Sequence, residues 1–150
     1  MIKNVKKSKR FAPVKQIAEN KETAAAVDMN KSAETQQACI QQLKQLQTYR
    51  EDYVLQFKAR GQSGLSALML QEYQTFVQKL DRAIIEQTNV VKRAEQQLDG
   101  YKQAFKESHS RKKVVDKLIQ KSKKEEAFAA DKQEQKVADD RVKKGSERLK

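Results

Sequence analysis

Between Arg60 and Gly64 the chain reads Arg60-Gly61-Gln62-Ser63-Gly64, the one dense turn signal in 150 residues. Two glycines within this run can take positive φ at a helix end, so a bend is expected at 61–65. On either side the apolar residues recur with helical spacing. Before the bend, from Val14 to Arg60, no Gly or Pro interrupts a seam of Ala18, Ala25, Met29, Ser32, Cys39, Leu43, Leu46, Tyr53 and Phe57. After it the steps of three and four are regular: Leu70, Tyr73, Val77, Leu80, Ile84, Gln87, Val91, Ala94, Leu98, Tyr101, Phe105, Ser108, Lys112, Val115, Ile119. Sustained over about seven heptads, that alternation is a specific coiled-coil signal.

Two helices joined by so short a turn must run antiparallel. The fold class expected is therefore all-α, a two-helix antiparallel coiled-coil hairpin with the second helix longer than the first. Residues equidistant from the bend should meet: Phe57 with the Leu68 region, Tyr53 with Tyr73, Leu46 with Leu80, Met29 with Leu98. Gly100 falls opposite Ala24 to Ala26, where small residues on both sides would let the backbones approach closely. Pro13, with φ preset and no N–H needed in a first turn, marks where the first helix starts. The organisation read from the sequence is thus 1–12 a basic flexible tail, 13–60 the first helix, 61–65 the bend, 66–145 the second helix and 146–150 a tail. At 1.5 Å per residue the helices would be roughly 70 Å and 120 Å long, so pairing should run out near Arg111. Beyond it the seam fades to Ser122, Glu126 and Ala129.

Composition fits a thin seam better than a thick core. Hydrophobic residues make up 37% and charged residues 35%, too little apolar matter to wrap several layers. The net charge of +12 invites a nucleic-acid or anionic-surface reading. Its distribution weakens that reading. Lys3, Lys6, Lys7, Lys9 and Arg10 form a basic tip, but from Arg111 onward Lys and Arg alternate with Glu125, Glu126, Asp131, Glu134, Asp139 and Asp140, the pattern of a solvated helix. No aromatics interleave with the basic residues as a stacking platform requires. A lone cysteine, Cys39, rules out an internal disulfide and fits a reducing compartment. The first twenty residues hold no apolar segment typical of a secretory signal, and no run of about 18 apolar residues would insert into a bilayer.

Chemistry has few candidates. His109 is the only histidine, and without a second His or Cys at ligand spacing it makes no ordinary zinc site and reads as a surface residue. Adjacent carboxylates such as Asp139-Asp140 diverge by about 100° on a helix, with no cavity to tune them. Gly61 and Gly64 lack the following Lys-Ser/Thr of a phosphate loop. The chain is expected to be no enzyme and to use no cofactor or metal. One surface feature exceeds a bland reading. Phe76, Ala83 and Val90 form a second column, spaced by seven and displaced by one position from the seam, where a bulky aromatic would be only partly covered. The alternative is simply a wide seam at that point.

The text from Leu46 to Asp52 with its following Tyr53, then Gly61 to Ser66, then Tyr73-Gln-Thr-Phe-Val-Gln-Lys-Leu-Asp-Arg-Ala-Ile84 resembles the flagellar export protein FliJ family, as does the Glu-Gln-Lys-x-x-Asp pattern at Glu134 to Asp139. The resemblance spans nearly the whole chain and is strongest at the bend and the early second helix. It implies a coiled-coil stalk of the flagellar type III export apparatus that binds the hexameric export ATPase, promotes its ring assembly, and couples it to the cytoplasmic domain of the large export-gate membrane protein. It also implies a role in recycling export chaperones, and a cytoplasmic place peripherally associated with the inner membrane at the gate. Gate-binding positions carry over onto Phe76, Leu80, Ala83 and Gln87, although Gln87 departs from the His of some relatives. ATPase-binding positions carry over onto Gln135, Lys136 and Asp139. Nucleic acid is not an expected partner. A stalk of a virulence secretion system, or a basic scaffold that binds nucleic acid, are the alternatives that periodicity alone does not separate from this one.

Overall fold

A computed structural model describes residues 6–149. The described chain is helical on both sides of one turn: α1 (Lys7–Arg10), α2 (Ala12–Gly61) and α3 (Ala67–Arg148). The long helix that follows the turn is the longer of the two and packs antiparallel on the first, as Tyr53 against Tyr73 and Lys15 against Asp116 record. Tertiary contacts divide the chain into two compact units, one formed by Ala25–Phe105 around the turn, the other by residues up to Ala24 with those from Lys106 on.

In the unit around the turn, the geometry of the bend follows from its residues. Gly64 has φ 97°, a backbone conformation that a Cβ disfavours, and it closes the turn by donating its N–H to the Gly61 carbonyl. Ser63 donates its hydroxyl to the Arg60 carbonyl, satisfying one of the acceptors orphaned where α2 ends. Ser66 starts α3. Its hydroxyl accepts from the Met69 N–H, the bond of an N-cap. These two serine caps were not read from the sequence, although a Ser just before a periodic apolar run is the signal for one.

The seam is thin, as composition requires. Leu80, Ala94 and Leu98 are its buried apolar residues in this unit, with Ser32 the buried polar one. Positions Tyr73, Val77, Ile84, Val91, Tyr101 and Phe105 are half-buried, as a two-helix interface leaves them. Two expectations fail here. Leu70 is exposed, and Phe57 stacks on Tyr73, ring centroids 3.6 Å apart, rather than meeting the Leu68 region. The turn occupies the residues that a simple count from the bend assigns to pairing, which shifts the first contact along α3. Gly100 is exposed and faces open space where a Cβ would stand, so it is not a site of close backbone approach.

In the other unit, Ala18, Ile119 and Ser122 are buried. Helical backbone precedes Pro13, at Lys7–Arg10 and again from Ala12, where a flexible tail was expected; residues 1–5 of that tail lie outside the described residues. Proline removes one backbone donor and so interrupts the ladder near Phe11, whose φ of −80° and ψ of −10° still keep the chain on a helical path. The consequence is longer pairing than the Arg111 limit. Lys15 lies 3.9 Å from Asp116, and the Glu126 carboxylate accepts from both the N–H and the hydroxyl of Ser8 at 3.0 and 2.8 Å. α3 ends at Arg148, three residues beyond the expected limit, and α2 at Gly61, one residue beyond; Lys150 lies outside the described residues.

Candidate partner-binding surfaces

The gate-binding residues implied by the resemblance all lie on α3 in the unit around the turn, and they are not equally accessible. Leu80 is only 7% exposed. It is seam. Phe76 is half-buried and packs edge-on against Tyr49, centroids 6.1 Å apart, and at 4.5 Å against Tyr53. Tyr53 stacks in turn on Tyr73, which stacks on Phe57, so four α2 and α3 rings extend from Phe76 towards the turn as one contiguous aromatic cluster. The column of Phe76, Ala83 and Val90 is therefore the edge of a wide seam, half-buried at each position.

Gln87 reaches across to α2, its Nε2 donating to the Cys39 carbonyl at 2.9 Å and to the Gln42 side-chain oxygen at 3.3 Å. Cys39 is free and half-buried. Beside Gln87, residues Gln42, Gln45, Leu46 and Tyr49 line a shallow groove of about 500 Å³. Tyr49 is 53% exposed, the most open aromatic of this flank. The α2 side of the surface was missed by sequence reasoning, which placed the column on α3 alone; the seven-residue interval from Gln42 to Tyr49, in register with the seam residues beside them, was the available signal. Nearer the turn, Arg50 donates its Nε–H to Asp81 in an ion pair that pushes the guanidinium pKa up. This bond fixes α2 against α3 immediately alongside Leu80.

Gln135, Lys136 and Asp139 are on α3 in the other unit, and all three are exposed. Val137 with Gln133, Glu134, Ala138 and Arg141 forms an open groove of about 360 Å³ on the same stretch. From Ala127 to Leu149 every described residue is exposed, Phe128 at 70% and Val142 at 71%. Among the described residues, no hydrogen bond or ion pair joins this stretch to the first arm. A helix with large apolar side chains in water and no partner from its own chain presents surface for another molecule.

Between these regions in sequence lies a polar contact set. His109 Nδ1 is 3.0 Å from Glu22 Oε2, and Lys112 Nζ is 3.6 Å from Glu22 Oε1. His109 is thus half-buried and engaged with Glu22 rather than a bare surface residue. The His109 hydrogen bond holds the Glu22 carboxyl below its ordinary value against the opposing effect of partial burial, and the Lys112 charge adds to the lowering. Glu126 is likewise lowered, first by the Ser8 backbone N–H and then by the Ser8 hydroxyl. No group of three His, Cys, Asp or Glu among the described residues is arranged to hold a metal ion. No described helix is long and apolar enough to cross a membrane.

A two-helix coiled coil whose accessible features are an aromatic flank, shallow grooves and an uncovered helix defines a class: a helical protein that works by contact with other proteins. The family model described as the flagellar FliJ protein matches residues 7–147, and the chain belongs to that family, whose members are components of flagellar protein export and hence of motility. No curated protein and no solved structure matches it.

Proposed function

We propose that this chain joins the export ATPase hexamer to the export gate of the flagellar type III apparatus, working from the cytoplasm at the inner membrane. The observation that carries the reading is the division of labour along α3: a stretch from Tyr73 to Gln87 packed on α2 with an aromatic edge, and a stretch from Ala127 on that no described residue of its own chain covers. Family membership over residues 7–147 supports the setting in flagellar export.

On this reading Gln135, Lys136 and Asp139, with the exposed Phe128 and Val142, contact the ATPase and promote assembly of its ring. The cytoplasmic domain of the large gate protein docks on the flank of Phe76, Ala83 and Gln87, to which Tyr49 and the Gln42–Gln45 groove add accessible surface. Leu80 acts by supporting that flank, because a side chain so nearly covered has little left to offer a partner. Export chaperones are further partners, released for reuse. The chain itself performs no chemistry. Purified ATPase and gate domain, each immobilised and incubated with the chain, test this reading: both should retain it, and retention of neither removes it.

A further inference from the structure

The unit formed by residues up to Ala24 and from Lys106 on has two unlike flanks. On one, polar cross-helix contacts close the edge of the seam: Ser8 with Glu126, Lys15 with Asp116, Glu22 with His109 and Lys112. On the other, no such contact closes it among the described residues. Val14, Ile17, Val114 and Leu118 are left 45%, 55%, 57% and 43% exposed, and an open apolar groove of about 440 Å³ runs between the helices. The stripes match. Val14, Ile17 and Lys21 on α2, and Arg111, Val114 and Leu118 on α3, each follow i, i+3, i+7 spacing, which keeps each set on one helix face.

Charge identifies what fits. Lys21 and Arg111 line the groove, no carboxylate does, and neither cation takes part in an ion pair among the described residues. Arg10 and Lys121 continue the two stripes at one end and are exposed as well, while at the other end the α3 stripe continues into exposed Glu107, outside the groove lining. A second copy of the chain would bring Lys21 and Arg111 against their own counterparts in a molecule of net charge +12, so self-pairing is opposed. An amphipathic helix laid between two helices would bury the apolar stripes in the same i, i+3, i+7 register.

We propose that this groove is a docking site, separate from the two surfaces above, for an acidic amphipathic helix of another protein, whose apolar stripe covers Val14, Ile17, Val114 and Leu118 and whose flanking carboxylates pair with Lys21 and Arg111. The site is new surface on the chain and does not depend on the identity of the ATPase or gate contacts.

The test is fluorescence anisotropy of the full chain with three labelled synthetic peptides: one with a Leu stripe at i, i+3, i+7 and Glu on its flanks, the same stripe with Lys flanks, and a scramble of the acidic peptide. Saturable binding of the acidic helix alone is expected. Ile17→Ser with Val114→Ser should weaken it by roughly tenfold or more, equivalent to about 1.4 kcal/mol. Lys21→Glu with Arg111→Glu should transfer preference to the Lys-flanked helix, and because these positions are solvated this pair serves even where the serine variant lowers helicity. Equal binding of the scramble would reduce the effect to bulk charge and overturn the proposal. So would unchanged affinity in the serine variant, a groove-dependent dimer in sedimentation, or groove-dependent binding to phosphatidylserine vesicles in place of the peptide.

Discussion

The stretch of α3 beside the turn and the stretch beyond Glu126 belong to one helix, yet they are built on different physics. From Tyr73 to Leu98 the helix is held by contacts with α2: an aromatic cluster, an Arg50–Asp81 ion pair, a Gln87 bond to the Cys39 carbonyl, and the burial of Leu80, Ala94 and Leu98. From Ala127 to Arg148 it has only its own backbone bonds and the helix propensity of its Ala, Glu, Lys and Gln residues, with Phe128 and Val142 in water. The first stretch is shaped before any partner arrives. The second has an apolar surface that a partner would complete. Binding surfaces of these two kinds should respond differently to mutation, the first through the fold and the second without it.

The largest expected effect is in the aromatic cluster. Tyr73→Ala removes the ring that Tyr53 and Phe57 both stack on and should destabilise the hairpin by about 2 kcal/mol, below the 3–5 kcal/mol typical of fully buried aromatics because this ring is half-exposed. A urea titration followed by circular dichroism measures it. Gly64→Ala comes next: forcing a Cβ into positive φ should cost on the order of 1–2 kcal/mol in the same titration, whereas Gly100→Ala, which meets open space within a helix, should stabilise by up to about 1 kcal/mol. If the two glycine variants behave alike, the bend is not where the structure has it.

Acid acts on the other unit. The Glu22 and Glu126 carboxyls titrate below the ordinary 4.5 when folded, so the unfolded chain binds protons first, and the stability they contribute is present above that value and lost as pH falls through the lowered one. Protection of the amides around Ile119 and Ser122, corrected for the intrinsic slowing of exchange in acid, should therefore fall as pH drops, and Glu126→Gln should flatten that dependence while amides around Leu80 keep theirs. The smallest effect is expected at Gln135→Ala, Lys136→Ala and Asp139→Ala together. These side chains should change the unfolding free energy by less than about 0.5 kcal/mol, since all three are exposed.

Much of the fold was legible because the seam is a period, and periods survive ignorance of detail. Leu80, Ala94, Leu98 and Ile119 are buried where spacing placed them, and Tyr53 meets Tyr73. What was illegible depends on single atoms or on chain ends. Pro13 reads as a helix start, but a missing N–H only interrupts a ladder, and the turn of α1 before it carries pairing on to Glu126. The wide seam at Phe76 needed two α2 residues, Tyr49 and Tyr53, that no one-helix pattern joins to it. The pairing of Glu22 with His109 is invisible in sequence for the same reason: a single hydrogen bond between distant positions leaves no period.

The proposed function requires that two surfaces of this chain serve two partners independently. It is tested most directly by titrating two full-length variants, Tyr49→Ala with Gln87→Ala and Gln135→Ala with Lys136→Ala and Asp139→Ala, against both the immobilised gate domain and the immobilised export ATPase. A crossed result is expected: the first variant loses the gate domain and keeps the ATPase, and the second loses the ATPase and keeps the gate domain. Parallel losses, or none, with helicity intact in both variants, would contradict it.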